Sequence, residues 1–368
     1  MRVLVTGSQG FIGKNLVLRL RERGDIEVLE FVRGDSDAQL FDVVRAADAV
    51  VHLAGENRPP SPNAFEIVNV GLTERLCDAL TKAGSQVPVI LASSAQAELD
   101  NPYGRSKLAA ERRVTELANT HGNSVTIYRL PGVFGKWCKP NYNSVVATFC
   151  HNIANDLPIQ INDPGREIQL VYIDDVVTSF LAALEAPQSG VRQDIVTPGY
   201  SLTLGELAEQ ITAFTNCRST LISERVGTGL VRALYATYVS YLPKEKFVYD
   251  VPAYGDARGV FVEMLKTPDA GQFSFFSAHP SVTRGGHYHH SKTEKFLVIK
   301  GRARFGFRHM LTNEVYYLET SGNQPRIVET VPGWTHDITN IGDDEMVVML
   351  WANEIFDRDR PDTIASKV

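Results

Sequence analysis

Apolar residues along this chain follow two different rhythms. Up to about residue 240, short unbroken apolar runs alternate with stretches of helical spacing. Val3–Val5 is such a run, as expected of a parallel strand buried on both faces. Phe11, Ile12, Leu16 and Leu20 then recur near helical spacing, with Gly24 as the expected stop. Further strands are predicted at 27–32, 49–53, 89–92 and 125–128. Leu72, Leu76 and Leu80 mark a helix ending at Gly84, Asp174–Ala186 reads as another, and Thr203-Leu204-Gly205-Glu206 is a capping box opening a third. Strand and helix in alternation predict a doubly wound α/β sheet. Beyond Pro243 the texture turns β-rich, with apolar strands at 272–276, 295–307, 314–318 and 345–351 separated by Gly, Asn and Asp turns. That pattern predicts a sandwich or jelly roll. The expected division is 1–243 and 244–368.

Composition narrows the class. The 368 residues are too many for one ordinary core. With 22% charged and 43% hydrophobic residues and a net charge of −6, the chain suits a soluble enzyme better than a nucleic-acid binder. No apolar run reaches the roughly 18 residues of a membrane span. The opening residues read as a buried strand instead of a signal peptide. Four cysteines, Cys77, Cys138, Cys150 and Cys217, lack paired spacing. Reduced thiols and a cytoplasmic location are expected.

The N-terminal half carries candidate cofactor chemistry. Gly7-Ser8-Gln9-Gly10-Phe11-Ile12-Gly13 is a GxxGxxG loop between a strand and a helix. Its glycines permit a tight turn, and the helix start attracts phosphate. The second strand ends at Val32-Arg33 instead of an acid. A guanidinium there suits a 2′-phosphate, which favours NADP over NAD. Tyr103 and Lys107 lie four apart and share a helix face. The ammonium is expected to lower the tyrosine pKa and so make a proton donor. Ser94 is the candidate third member, with Ser93 its alternative.

These residues resemble the extended short-chain dehydrogenase/reductase family over roughly the first 240 positions. His52-Leu53-Ala54-Gly55, Asn69, Arg129–Gly135 and Tyr172–Val176 add to the likeness. The resemblance implies Rossmann-type NADP binding through the glycine loop, Arg33 and Leu53–Gly55, catalysis by Ser94, Tyr103 and Lys107, and a nucleotide-linked sugar as substrate. Arg166 and Asn143 are then candidates for substrate contact. Ala95-Gln96 stands where dehydratases of the family carry an Asp-Glu pair, so dehydration is disfavoured. Carbonyl reduction fits better.

The C-terminal half carries a second candidate centre. His287 and His289 project from one strand face, Glu294 follows on the next strand, and His336 lies about forty residues on. Three nitrogens and one carboxylate oxygen suit Zn(II), and less well Fe(II). The spacing resembles the two cupin motifs, although Ser281 stands where the first usually opens with Gly. Asp256–Glu263 resembles the opening of sugar-nucleotide 3,5-epimerases. The combination resembles the CapF group of bifunctional capsular-polysaccharide enzymes and their O-antigen counterparts. That resemblance implies C3 epimerisation of a UDP-2-acetamido-2,6-dideoxy-4-hexulose by the cupin, followed by C4 reduction with NADPH. It further implies UDP-N-acetyl-6-deoxy-L-talosamine, a precursor of N-acetyl-L-fucosamine, as the product, and a homodimer joined through cupin domains. Two alternatives remain open at this level: a Rossmann/cupin redox-sensing regulator, and a reductase fused to an iron oxygenase cupin.

Overall fold

The computed structural model describes residues 1–58, 65–256, 259–262, 264–267, 271–354, 357 and 359–368, with the backbone alone at 253–256 and 259–262. The first sheet is built from β1 (Arg2–Thr6), β2 (Glu27–Phe31), β3 (Ala49–His52), β4 (Val89–Ser94), β5 (Val125–Leu130) and, further along, Val191–Asp194. Their order is β2-β1-β3-β4-β5 with Val191–Asp194 at the edge, and every pairing is parallel. Such an order places a crevice where β1 and β3 send their connections to opposite sides. Val3, Leu4 and Val5 are fully buried, as the unbroken apolar run requires. The predicted helices appear at Phe11–Arg21, Gly71–Ala83 and Ile173–Glu185. The first stops three residues before Gly24. Gly84 caps the second in the left-handed conformation, and the capping box at Thr203 and Glu206 is complete. Strands β6 (Gly132–Phe134), β7 (Glu167–Tyr172), β8 (the edge strand Val191–Asp194) and β9 (Gly199–Thr203) follow, with β6, β7 and β9 forming a small separate sheet.

The later strands are β10 (Val248–Asp250), β11 (Ala253–Asp256), β12 (Gly259–Val262), β13 (Gln272–Ala278), β14 (Thr283–Tyr288), β15 (Glu294–Lys300), β16 (Arg302–His309), β17 (Val315–Ser321), β18 (Arg326–Glu329), β19 (Trp334–Asn340), β20 (Met346–Ala352) and β21 (Ile364–Ala365). Two five-stranded sheets result, β10-β18-β15-β20-β13 and β17-β16-β19-β14-β21, with β11-β12 as a separate hairpin. The pairings are antiparallel throughout. Phe296 of the first sheet meets Phe305 of the second at 5.7 Å between ring centroids. The two inner faces therefore share one core.

The chain forms two compact units, and no single cut separates them. One contains Met1–Phe134, Tyr142–Ser144 and Ile168–Ser201; the other contains Gly135–Asn141, Val145–Glu167 and Leu202–Val368. The helices Leu204–Thr220 and Gly229–Val239 thus belong with the β-sheets. A buried ionic cluster explains why. Glu329 on β18 takes hydrogen bonds from Arg218 and Lys295, and from the Tyr235 hydroxyl at 3.2 Å. Lys295 also donates to Tyr249 at 3.1 Å. Removing one member leaves a buried charge uncompensated, at a typical cost of about 3–5 kcal/mol. Among the described residues no helix is long and apolar enough to cross a membrane.

Candidate functional site

The turn after β1 is built for close backbone approach. Gly7 has φ +71°, and a Cβ there would lie 2.7 Å from the Ala54 nitrogen. A Cβ on Gly13 would lie 2.2 Å from the Gly7 carbonyl. The first helix therefore starts against the loop after β3, which carries Leu53, Ala54 and Gly55. Gln9 and Gly10 are exposed, while Phe11 and Ile12 are half-buried. Beneath this crevice His52 lies between two hydroxyls, Thr6 Oγ1 at 2.6 Å and Thr73 Oγ1 at 2.9 Å. Burial, helped by the Lys107 charge, pushes the imidazole down to about 3, so it stays neutral. Arg33 is largely exposed and pairs with Glu56 at 3.3 Å. Glu56 also accepts from the Tyr142 hydroxyl at 3.0 Å. The sequence reading did not include this carboxylate.

Tyr103 and Lys107 sit on the helix Pro102–His121, whose Asn101 cap accepts from the Gly104 amide at 2.8 Å. Asn69 ties this helix to the β3 loop. Its amide accepts from the Glu56 N–H at 2.7 Å and donates to Ser106 at 2.9 Å. Lys107 is buried, with Nζ donating to the Ala92 carbonyl at 3.0 Å and lying beside Gly55. Burial pushes its pKa down to about 8. The expectation of a depressed Tyr103 pKa needs correction. Burial raises it, and the opposing influence is a hydrogen bond with Ser94, not the Lys107 charge. Helical spacing put the two side chains on one face, but it did not reveal how far burial would oppose phenolate formation.

Ser93 and Ser94 sit in different surroundings. Ser93 donates to the buried Glu111 carboxylate at 2.5 Å, and Arg129 clamps Glu111 through Nε at 3.0 Å and Nη2 at 2.7 Å. Ser94, at the end of β4, instead accepts from the Gln96 amide at 3.2 Å and lies near enough to Tyr103 to oppose the effect of its burial. The Ala95–Glu98 turn and Pro102 at the helix start accommodate the short link to Tyr103. Asn143 and Arg166 are both exposed and belong to different compact units.

In the second unit, β14 and β19 place His287 opposite His336. The ligand atoms of His287, His289, Glu294 and His336 all lie within 4.8 Å of one another. His289 Nε2 is 3.0 Å from Glu294 Oε2, and His336 Nε2 is 3.4 Å from the same oxygen. Burial, reinforced by the neighbouring imidazoles, lowers His287 to about 3. Burial also lowers His336. For Glu294, burial raises the pKa, but His289 and His336 overcome it and hold the carboxyl well below its usual range. Among the described residues His336 Nδ1 has no hydrogen-bond partner and Nε2 has only the long 3.4 Å approach to Glu294, an expensive arrangement for buried ring nitrogens unless something else satisfies them. His289 Nδ1 faces the Asp362 carbonyl, which only accepts. Nδ1 must then carry a proton, so Nε2, the nitrogen that faces Glu294, is the one a metal would use. Three imidazoles and one carboxylate converging in this way fit a metal ion. The donor set matches Zn(II). Ser281 adopts φ +65°, a conformation that explains why glycine is usual at that place. Of the segment resembling 3,5-epimerases, Ala257, Arg258 and Glu263 lie outside the described residues. The backbone of Gly259–Val262 pairs with Ala253–Asp256.

Comparison with known proteins agrees across the whole chain. Residues 3–199 match the NAD dependent epimerase/dehydratase family, and residues 254–364 match the polysaccharide biosynthesis C-terminal domain. The chain is 58% identical to UDP-2-acetamido-2,6-beta-L-arabino-hexul-4-ose reductase of Pseudomonas aeruginosa, over 100% of this chain and 99% of the relative. The crystal structure of the capsular polysaccharide assembling protein CapF from Staphylococcus aureus superposes with a TM-score of 0.67 and 40% identity, covering 100% of both chains. MoeE5 in complex with UDP-glucuronic acid and NAD matches 59% of this chain and 83% of its own, with a TM-score of 0.53 and 25% identity. The chain belongs to the NAD dependent epimerase/dehydratase family and, along its full length, to the family of the Pseudomonas reductase and CapF.

Proposed function

We propose that this chain is a bifunctional nucleotide-sugar enzyme. Its C-terminal domain, read as a cupin spanning 244–368, epimerises a UDP-2-acetamido-2,6-dideoxy-4-hexulose at C3. Its N-terminal domain, 1–243, reduces the C4 ketone to give UDP-N-acetyl-6-deoxy-L-talosamine, a precursor of N-acetyl-L-fucosamine for capsule or O-antigen. The full-length relationship to the Pseudomonas reductase carries this reading. Chemistry fixes the order: the C3 proton is acidic only while C4 is a ketone, so epimerisation precedes reduction.

For the reductase, a nicotinamide cofactor held by Gly7, Gln9, Gly10, Phe11, Ile12, Gly13 and Leu53–Gly55 would supply hydride, with Arg33 favouring NADPH. The Tyr103 hydroxyl gives its proton to the C4 oxygen. Ser94, close to Tyr103, holds that oxygen in line. Lys107, whose Nζ lies beside Gly55 in the loop assigned to the cofactor, helps to orient that cofactor, a role its ammonium fills below about pH 8. Asn143 and Arg166 are assigned to the nucleotide-sugar. No Asp-Glu pair follows Ser94, which supports reduction over dehydration.

For the epimerase, Zn(II) bound by His287, His289, Glu294 and His336 would supply Lewis acidity or hold the barrel together. A cavity of about 180 Å³ beside these residues is lined by Phe276, Arg284, Phe296, Phe305, Asp337 and Ile338, and offers a mixed apolar and charged seat for the sugar. The same proposal includes a homodimer joined through this domain, for which the outward-facing Phe273 and Phe275 on edge strand β13 offer apolar surface. The test is NADPH oxidation with the 4-keto UDP-sugar and determination of product stereochemistry. An L-talo product supports the proposal; unconsumed NADPH, or a product unchanged at C3, contradicts it.

A further inference from the structure

We infer that the C-terminal strap Asp362–Ser366 is part of the metal centre, and that Asp362 is the residue that positions His289. The inference rests on the metal assignment proposed above for His287, His289, Glu294 and His336. Asp362 lies 26 positions beyond His336 and outside both motif-like segments. Its backbone carbonyl accepts from His289 Nδ1, which fixes the tautomer and turns Nε2 toward Glu294. Its carboxylate holds the loop that joins these two ligands. Oδ1 accepts from the His290 amide at 2.8 Å, and Oδ2 accepts from the amides of Ser291 at 2.7 Å and Lys292 at 2.8 Å. The Ser291 hydroxyl also donates to Oδ2, at 3.2 Å. An ionised carboxylate receiving three backbone N–H groups makes a strong, directional anchor.

The rest of the strap touches the other ligand-bearing segments. In β21, Ala365 pairs with His287 and Ile364 with Tyr288. The Ser366 amide donates to the Gly286 carbonyl at 2.8 Å, and its carbonyl accepts from Thr335, next to His336, at 2.9 Å. Lys292, two residues before Glu294, donates through Nζ to Thr363 at 2.6 Å. One five-residue strap thus reaches the neighbourhood of all four ligands. Its hydrogen bonds converge on backbone that must hold still for the ligand atoms to converge. Groups hydrogen-bonded to metal ligands commonly control metal affinity about 10–100-fold.

The test compares the full-length wild type with Asp362→Ala, Asp362→Asn and Arg308→Gln. Arg308 anchors the same tail downstream, at the Lys367 carbonyl and the Ser366 hydroxyl, without touching His289. Zn(II) affinity is read by chelator competition, the coordination geometry by the visible spectrum of the Co(II)-substituted protein, and integrity by melting of the metal-free form. Asp362→Ala is expected to bind Zn(II) about 10–100-fold more weakly, with shifted Co(II) bands. Arg308→Gln should stay within about threefold of wild type with an unchanged spectrum. Asp362→Asn preserves the side-chain volume and is the variant to read should Asp362→Ala not fold; it is expected to weaken binding in the same direction. Wild-type affinity and spectrum in the Asp362 variants would overturn the inference, as would an equal loss in Arg308→Gln. A wild-type protein that bound no Zn(II) would instead overturn the metal assignment beneath it.

Discussion

Replacing Arg33 by Asp should reverse the cofactor preference, and the structure bounds the size of the change. A charge-assisted hydrogen bond between a guanidinium and a 2′-phosphate contributes on the order of 1.5–3 kcal/mol. Arg33 is not idle in the cofactor-free state, because it pairs with Glu56 at 3.3 Å. Its side chain is 88% exposed, and exposed pairs are worth roughly 0–1 kcal/mol. Binding the phosphate gives up that pair, so the net preference for NADPH is about 0.5–3 kcal/mol. At about 1.36 kcal/mol per factor of ten, the ratio of kcat/KM for NADPH over NADH should lie between about 2 and 150. Arg33→Asp removes this gain and sets a second carboxylate beside Glu56, which repels the 2′-phosphate and accepts from a ribose hydroxyl. The ratio should fall below one. Glu56→Gln removes the competitor while leaving an acceptor for Tyr142, and should raise the ratio by up to about fivefold. Initial rates with both cofactors at saturating keto sugar measure each variant. A ratio unchanged in Arg33→Asp would refute the reasoning.

That case also shows what the sequence could and could not reveal. The GxxGxxG loop, the Tyr103–Lys107 spacing and the His-x-His pair are local patterns, and each is legible because a strand or helix repeats at a fixed period. Glu56 is not legible that way. It enters through a loop after β3 and meets Arg33, just past β2, only because β1 pairs with both strands in the sheet. Glu111 was likewise missed as the partner that engages Ser93, since its helix buries it against Arg129 from β5. The helices Val145–Ala154 and Gly229–Val239 carry weaker punctuation than their neighbours and went unpredicted. The place of Gly229–Val239 with the β-sheets depends on a tertiary contact, the Tyr235 hydroxyl on Glu329. Asp362 acts largely through backbone donors and its own carbonyl, so no side-chain pattern announced it. The raised Tyr103 pKa is a burial effect, visible only once the surrounding residues are in place.

Ser94→Ala should lower ketone reduction by about 10²–10³-fold by removing a positioned hydrogen bond. Ser93→Ala should leave the rate near wild type and cost about 1.5–3 kcal/mol of stability through its lost bond to the Glu111 carboxylate; steady-state rates and urea melts separate the two, and equal rate losses would contradict the assignment. The Lys107 ammonium is lost as pH rises through about 8, so kcat/KM for reduction should decline above that value, and a flat profile to pH 10 would contradict it. The same depression has an opposite sign for stability. Between about 8 and the ordinary lysine value of 10.5 the unfolded chain holds more protons, so this group's contribution to stability rises with pH in that window.

The central claim is that one chain holds two separable chemistries, and Tyr103→Phe tests it most directly. The substitution keeps the ring against Phe65, whose centroid lies 5.6 Å away, and removes only the proton donor. The measurement follows NADPH oxidation and incorporation of deuterium at C3 of the 4-keto UDP-sugar in heavy water, on the same folded sample. The account predicts that NADPH oxidation falls by about 10²–10⁴-fold, the usual worth of a positioned acid, while C3 exchange continues at the wild-type rate. Loss of both activities together would mean a single shared site and would contradict the account.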